Sequence, residues 1–359
     1  MGTRTIANVA QAAKGDAYRY DVPVHAHPTV SVLLPAHDAA ATLPGALRSL
    51  ARQTEARWEC ILVDDGSRDA TRAVAEAAAR ADSRIHVIGL AHGGIVAALQ
   101  AGLAQCRAPV VARMDADDLM HRERLATQLH ALAEDPTLAA VGCHIRFFPR
   151  RGMTDGLRDY ERWLRSIDGV ARVRADAFIE SPIPHPTLVV RREILVRVGY
   201  RDVGWPEDYD LVLRLLAAGH EIGMVPRRLL AWRDGPTRLT RTHAAYHQDR
   251  IVACKASFLA EGFLAAGTTY ALWGHGGTGR ALRRALAAHG KRPSHVIEVH
   301  PRRLGNRIHG APVIPPEGLA GLPRGRLVAS VAGAEPRRLI REFLATLGWV
   351  ELRDFVVAA

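Results

Sequence analysis

Apolar residues between positions 30 and 114 fall into four short runs, each followed by a polar loop, with apolar residues at helical spacing between the runs. Val30, Val32, Leu33 and Leu34 predict a strand that Pro35 ends, leaving Ala36, His37 and Asp38 in a loop at its carboxyl end. Thr42 is the predicted N-cap of a helix carrying Leu43, Leu47 and Leu50. Cys60 to Val63 predicts a second strand running into Asp64, Asp65, Gly66 and Ser67, with an alanine-rich helix over Ala70 to Ala81. Ile85 to Leu90 and the helix of Ile95 to Leu103 repeat the unit, and Val110 to Met114 leads into the stretch Arg113 to Asp118. Strands alternating with helices predict a parallel sheet with helices on both faces.

In such a sheet, ligands bind outside the carboxyl ends of the strands, where three polar clusters fall: Pro35 to Asp38, Asp64 to Ser67 and Arg113 to Asp118. Side chains alternate along a strand, so Asp115 and Asp117 project the same way with only Ala116 between them. Carboxylates that close need a cation or a proton, and oxygen ligands suit Mg²⁺ or Mn²⁺. Capping of a helix beginning near His121 is the alternative role for these acids. With acceptors for a base N–H or a ribose hydroxyl beside a metal that bridges phosphates, the three clusters together predict a nucleotide-diphosphate site. It is not a P-loop, since no G-x-x-x-x-G-K-[ST] occurs.

A chain of 359 residues, 48% hydrophobic, can bury the cores of two domains. No run approaches a membrane span and the first twenty residues carry no secretory signal, so a cytoplasmic location is expected. Cys60, Cys106, Cys143 and Cys254 are scattered and read as core thiols. The net charge of +11 favours an anionic partner. Because arginine is dispersed, without dense basic runs interleaved with aromatics, nucleic acid is disfavoured relative to a nucleotide diphosphate or lipid phosphate head groups.

Further along, the charged segment Met153 to Phe178, with Tyr160 and Trp163, predicts a helix and loop over the cleft. Pro184 and Pro186 fix His185 outside regular structure, at the pocket rim, before a strand over Thr187 to Val190. Trp205, Pro206, Glu207, Asp208, Tyr209 and Asp210 precede a strongly apolar helix, whose N-cap one of the three acids is expected to supply. A short strand follows Gly219, then Arg233, Asp234, Arg238 and Arg241, whose paired donors suit a leaving diphosphate.

The succession VSVLLPAHDAAATL, ECILVDDGSRDAT, HGGIVAALQAGL and VARMDADD resembles the inverting glycosyltransferase family 2, with its GT-A fold and D-x-D motif, over roughly residues 29 to 245. The resemblance implies that Pro35, Ala36, His37, Asp38 and Asp64 line a nucleoside pocket with Asp65 beside it, and that Arg113, Asp115 and Ala116 also belong to the nucleotide-sugar side. Asp38 stands where the family usually has Asn. Asp117 would be the main ligand of Mn²⁺ or Mg²⁺, with Asp115 contacting ribose or metal. The Glu-Asp motif points to Asp208 as general base, with Glu207 as runner-up. His185, Trp205, Arg233 and Arg241 fall to the acceptor or diphosphate side. The implied reaction moves a sugar from a nucleotide-diphosphate donor to a saccharide or lipid-linked saccharide acceptor, in surface polysaccharide or glycolipid assembly. It would take place in the cytoplasm, with peripheral contact at the anionic inner face of the membrane. A binding-only sensor with an inactive transferase site is the alternative.

The expected division is an N-terminal extension over 1–28, a GT-A domain over 29–245, a helical connector over 246–267 and a small Rossmann-like α/β domain over 268–359. In the last, Gly274, Gly276 and Gly279 form G-x-G-x-x-G between a strand and a helix, and Glu298 closes the next apolar stretch. That pattern predicts a dinucleotide such as NAD(H), or else a tight turn with close helix packing.

Overall fold

The computed structural model describes residues 27–236 and 238–359, so almost all of the expected N-terminal extension lies outside the described residues. The chain runs through β1 (Val30–Ala36), α1 (Leu43–Ala51), β2 (Trp58–Asp65), α2 (Thr71–Ala81), β3 (Ile85–Leu90), α3 (Gly94–Leu103), β4 (Val110–Arg113), β5 (Leu119–Met120) and α4 (Arg124–Glu134). It continues with β6 (Leu138–Phe148), α5 (Asp155–Arg165), α6 (Val170–Asp176), β7 (Val189–Arg191), α7 (Arg192–Val198), α8 (Glu207–Ala217), β8 (Glu221–Arg233), α9 (Leu239–Thr242) and α10 (Gln248–Glu261). The last part holds β9 (Thr269–Trp273), α11 (Gly277–Ala288), β10 (Arg292–Ile297), β11 (Arg307–Ile308), β12 (Ala311–Ile314), β13 (Leu327–Ala329), α12 (Ala334–Thr346) and β14 (Phe355–Val357).

The first sheet has eight strands in the order β3-β2-β1-β4-β7-β6-β8-β5. β3, β2, β1 and β4 are parallel, as the alternating pattern predicts. β1 and β2 are buried along their whole length, which is why they read as nearly continuous apolar runs. α1 covers them with Leu43, Ala46, Leu47 and Leu50, one face at helical spacing. Beyond this half the sheet is mixed: β7 runs antiparallel between β4 and β6, β8 returns parallel to β6, and β5 closes the edge antiparallel to β8. β1 also continues through Pro35 and Ala36 rather than ending at Pro35. Its pairing with β4 stops at Leu33, so Pro35 has a strand neighbour on one side only and its missing N–H leaves no ladder gap there.

The second sheet has six strands in the order β11-β12-β10-β9-β13-β14, all parallel except the short β11. α10 and α11 cover one face, where Leu259, Leu282 and Leu286 meet Leu272 and Val328, and α12 covers the other through Ile340 and Leu344. The two sheets are joined by side chains. The fully buried Asp176, the last residue of α6, accepts hydrogen bonds from Arg341 at 2.7 Å and from Trp163 at 2.9 Å, and Ile179 packs in the core beneath α12. Among the described residues no helix is long and apolar enough to cross a membrane.

Candidate functional site

β4 ends at Arg113, and the chain turns outward through Met114 to Asp118 before the two-residue β5. Asp115, Asp117 and Asp118 each bring a carboxylate oxygen within 4.8 Å of the others. Asp118 is fully buried: one oxygen accepts from Arg233 N at 2.7 Å, and Oδ2 has no partner. Burial and then the Asp115 charge push Asp117 up to about 6, and the same causes with Asp117 added drive Asp118 well above the usual carboxylate range. Three crowded hard-oxygen donors, one with an orphaned buried atom, fit a divalent cation such as Mg²⁺ or Mn²⁺. The role of capping a helix near His121 is not theirs, because α4 begins at Arg124 with Glu123 at its N-cap.

Arg113 is 4% exposed and lies 2.6 Å from Asp115. Its charge also acts on Glu207, Asp208 and His185, so it stands between the acid cluster and the start of α8. Pro206 is the N-cap of α8 and no side chain caps it, contrary to expectation; Glu207, Asp208 and Asp210 lie in the first turn instead. Their fates differ. Asp210 is fully buried, and against the upward pull of burial, hydrogen bonds from Arg201, Trp205 and Arg214 hold it below the usual carboxylate range. Glu207 is buried, accepts from the Tyr246 hydroxyl at 2.5 Å and lies 3.7 Å from His185. Burial and the Asp208 charge push Glu207 up to about 7. Asp208 is the more exposed of that pair; burial raises it, Arg113 counters, and its carboxylate touches only the Tyr209 N–H among the hydrogen bonds of this turn.

Two expectations need correction here. His185 is not at the rim: it opens a short 3-10 turn, His185–Thr187, is 6% exposed, and hydrogen-bonds through Nε2 with the Tyr200 hydroxyl at 3.0 Å. Burial, then Arg113, holds it well below the ordinary histidine range, so it is a neutral group behind Glu207. Trp205 has no free indole N–H to offer, because its Nε1 donates to Asp210 at 3.0 Å and its ring packs against the cluster of Tyr209 and Leu213.

At the ends of β1 and β2, Asp38 adopts φ 46°, a left-handed conformation that Asp tolerates better than most residues. Its carboxylate accepts from Arg68 N at 2.8 Å and its N–H donates to Ser67 Oγ, which ties the two loops together. Asp64 is buried, with Ser67 N donating to it at 3.2 Å. Asp65 is occupied by the start of α3: Gly93 N and Gly94 N donate to its two oxygens at 2.8 and 2.9 Å, with His92 2.9 Å away. His37 stacks on His92 with ring centroids 4.3 Å apart, both exposed at the strand ends. Pro35 and Ala36 are buried in β1, and Ala116 is buried between Asp115 and Asp117. Across the cleft, Arg233 donates to the Asp117 carbonyl at 2.7 Å; Arg238 lies over Trp232 at 4.3 Å, and its charge acts on Asp117 and Asp118; Arg241 is paired with Asp234 at 2.7 Å.

On the second sheet, Gly274 and Gly279 are fixed by packing. A Cβ on Gly274, at φ 90°, would lie 2.4 Å from Val331, and one on Gly279 would lie 2.0 Å from the Gly274 carbonyl. Glu298 follows β10 directly and accepts from His275 N and Arg303, both at 2.8 Å.

Sequence reasoning missed Asp118, Tyr200 and Tyr246. Asp118 was visible in the acidic run, but its lack of a neutralising partner is a product of the fold. The tyrosines carry no local signal, since Tyr246 meets Glu207 across 39 residues.

The family model described as "Glycosyl transferase family 2" matches residues 31–199. The chain is 31% identical over 191 residues to the amylovoran biosynthesis glycosyltransferase AmsE of Erwinia amylovora, covering 53% of this chain and 69% of the relative. It is similar in fold to Staphylococcus aureus TarS, residues 1–349, solved in complex with UDP-GlcNAc (16% identity, TM-score 0.54, 73% of this chain and 72% of that one). The mannosyltransferase PcManGT of Pyrobaculum calidifontis, solved in complex with GDP-Man and Mn²⁺, is similar at 20% identity and TM-score 0.51, covering 74% of this chain and 70% of that one. These likenesses favour a transferase over a binding-only sensor, and they lend no support to NAD(H) on the second sheet.

Proposed function

We infer the reaction from one premise: this chain belongs to glycosyltransferase family 2 and is a glycosyltransferase. The reading is an inverting transfer from a nucleotide-diphosphate sugar to a hydroxyl of a saccharide or lipid-linked saccharide, in assembly of a surface polysaccharide or glycolipid. The observation that carries it is the cluster of Asp115, Asp117 and Asp118 linked through Arg113 to Glu207 and Asp208. Support also comes from the relative's role in amylovoran biosynthesis and from the nucleotide sugars and Mn²⁺ bound to the fold neighbours. The net charge of +11 suits an acceptor held at an anionic membrane surface.

The nucleoside lies along Pro35 to Asp38 and Asp64, with the stacked His37 and His92 beside it. Asp117, Asp115 and Asp118 would hold a divalent cation, which would offset the diphosphate charge. Arg233 and Arg238 add positive charge on the same side. Asp208 takes the proton of the acceptor hydroxyl as its oxygen bonds to the anomeric carbon; the bond from that carbon to the β-phosphate oxygen breaks, and the nucleoside diphosphate leaves with the electron pair. One displacement inverts the centre. Glu207, held by the Tyr246 hydroxyl, acts on Asp208 through its charge rather than meeting the acceptor itself.

The test is a thermal-shift screen of nucleoside diphosphates and their sugars with and without Mn²⁺, followed by an assay of nucleoside diphosphate release with lipid-linked saccharide acceptors. The reading expects a nucleotide sugar that stabilises the protein more with Mn²⁺ and is turned over. A protein that no nucleotide sugar stabilises in Mn²⁺ contradicts it.

A further inference from the structure

A transfer reaction needs a seat for the acceptor beside Asp208, and neither His185 nor Trp205 supplies one, since each is held by another side chain. The segment 176–180 brings other groups there. It is fixed between the two sheets: Asp176 takes Arg341 and Trp163, and the Ile179 carbonyl accepts from the buried Lys255 ammonium, which also reaches the Ala358 carbonyl at 3.4 Å. The Ala177 carbonyl accepts from the Tyr209 hydroxyl at 2.7 Å. Tyr209 follows Asp208 in the chain, so this bond ties the segment to the turn that carries the proposed base.

Glu180 follows directly on this fixed backbone. Its side chain is exposed, and among the described residues its carboxylate has no hydrogen-bond or ion-pair partner. Protein nevertheless encloses it on its other sides, because burial raises its pKa, with Lys255 opposing and Asp208 adding. A carboxylate that is open to solvent and yet feels both enclosure and Asp208 stands in the same cleft as Asp208. Tyr160 of α5 meets the same two charges: burial, then Glu180 and Asp208, drive its hydroxyl well above the ordinary tyrosine range. That hydroxyl also has no partner among the described residues and keeps solvent-accessible surface. The half-buried Tyr160 ring stacks on Trp163, with centroids 5.6 Å apart, and tilts against the half-buried Trp232 at 6.4 Å. Arg238 lies over the Trp232 ring and acts on Tyr160 as well as on Asp117, so this aromatic wall borders the donor side of the cleft.

We propose that Tyr160 and Glu180 form the acceptor subsite: a pyranose ring of the acceptor saccharide lies against the wall of Tyr160 and Trp232, and the Glu180 carboxylate and Tyr160 hydroxyl hold the hydroxyls beside the one that Asp208 deprotonates. This assignment rests on the transfer reading and gives it the acceptor contacts that His185 and Trp205 do not provide. A sugar ring combines an apolar C–H face with a rim of hydroxyls, and an aromatic face next to an unpaired carboxylate answers both. A lipid chain in the same place would leave that carboxylate desolvated without a partner, so the saccharide is the part of the acceptor that fits.

The test uses the full chain in Mn²⁺ with UDP-GlcNAc, UDP-glucose, UDP-galactose and GDP-mannose as donors, and reads nucleoside diphosphate release. Methyl glycosides of glucose, galactose, mannose and N-acetylglucosamine serve as acceptors, and release to water without a glycoside reads the donor side alone. The proposal expects at least one glycoside to accelerate release in a saturable way. Glu180→Ala should raise the KM for that glycoside by about tenfold, the loss of a hydrogen bond to a charged group, and Tyr160→Phe by about fivefold, each with the donor KM of the wild type. Glu180 is exposed and Phe keeps the Tyr160 ring, so both variants retain the fold. The proposal is overturned if the glycoside KM is unchanged in the variants, if the donor KM rises in step with it, or if a donor is hydrolysed and no glycoside accelerates its release. If no donor is cleaved under any of these conditions, the transfer reading itself fails and the subsite falls with it.

Discussion

The carboxyl edges of the two sheets stand at equivalent places in the topology and carry different chemistry. At the first edge three aspartates crowd within 4.8 Å, with the buried Arg113 beside Asp115 and the charges of Arg233 and Arg238 acting on Asp117. At the second edge the loop is glycine-rich, no side chain caps the helix start, and Glu298 and Glu317 line the cavity with Arg303, which pairs with Glu298. One edge crowds carboxylates into a donor set that suits a cation; the other pairs Glu298 with an arginine. The sheet fixes where a ligand lies, and a few loop side chains fix which chemistry it meets there.

The comparison sharpens first within α8, where the proposed reaction gives adjacent acids different duties. Asp208→Asn should lower kcat by about 10² to 10⁴ with donor affinity retained, the usual cost of losing a general base. Glu207→Gln should cost less. The reverse order, with Glu207→Gln inactive and Asp208→Asn turning over normally, would move the base to Glu207. Two residues on, Asp210→Ala should show its effect in stability instead. It strips Arg201 and Arg214 of their shared partner, and a loss of about 3 kcal/mol is expected from the urea midpoint. An unchanged midpoint would mean that this buried cluster does not hold α8.

Tyr246→Phe probes a smaller effect. Removing the hydroxyl that donates to Glu207 at 2.5 Å should reduce kcat by about tenfold. If KM for the donor rises while kcat stays constant, Tyr246 belongs to the donor pocket. The smallest effect is in pH dependence. Glu207 titrates at about 7 in the fold against 4.5 ordinarily, so between these values the folded chain holds more protons than the unfolded one. Its contribution is therefore complete below the lower value and lost as pH rises through the upper one. Melting temperature in EDTA should fall over that window, and Glu207→Gln should flatten the fall; a slope unchanged by the variant would assign it to other groups.

Much of the first edge was legible because parallel strands buried on both faces are near-continuous apolar runs, and what interrupts them, as at Asp64 or Asp115, lies at their ends. The α/β class and the family resemblance followed from that rhythm. The antiparallel half was harder to read. β8 runs for thirteen residues through Pro226 and exposed Arg227 and Arg228, and its register against β6 shifts near there, so no simple alternation marks it. His185 was misplaced because flanking prolines dictate backbone, not depth. Trp205 looked like a site aromatic until Asp210 claimed its indole N–H. Nor could Gly276 be separated from Gly274 and Gly279 by sequence, since all three are glycine and only the neighbours of a missing Cβ tell them apart.

The account rests on the first edge being a cation-dependent seat for a nucleotide-diphosphate sugar. Calorimetric titration of the best-binding nucleotide sugar, with wild type and Asp117→Ala, in EDTA and in saturating Mn²⁺, tests this most directly. Mn²⁺ should tighten binding to the wild type by about tenfold or more and leave Asp117→Ala near its EDTA affinity, because the variant keeps Asp64 and loses an oxygen of the cluster. Equal affinities of the two proteins in saturating Mn²⁺ would contradict it.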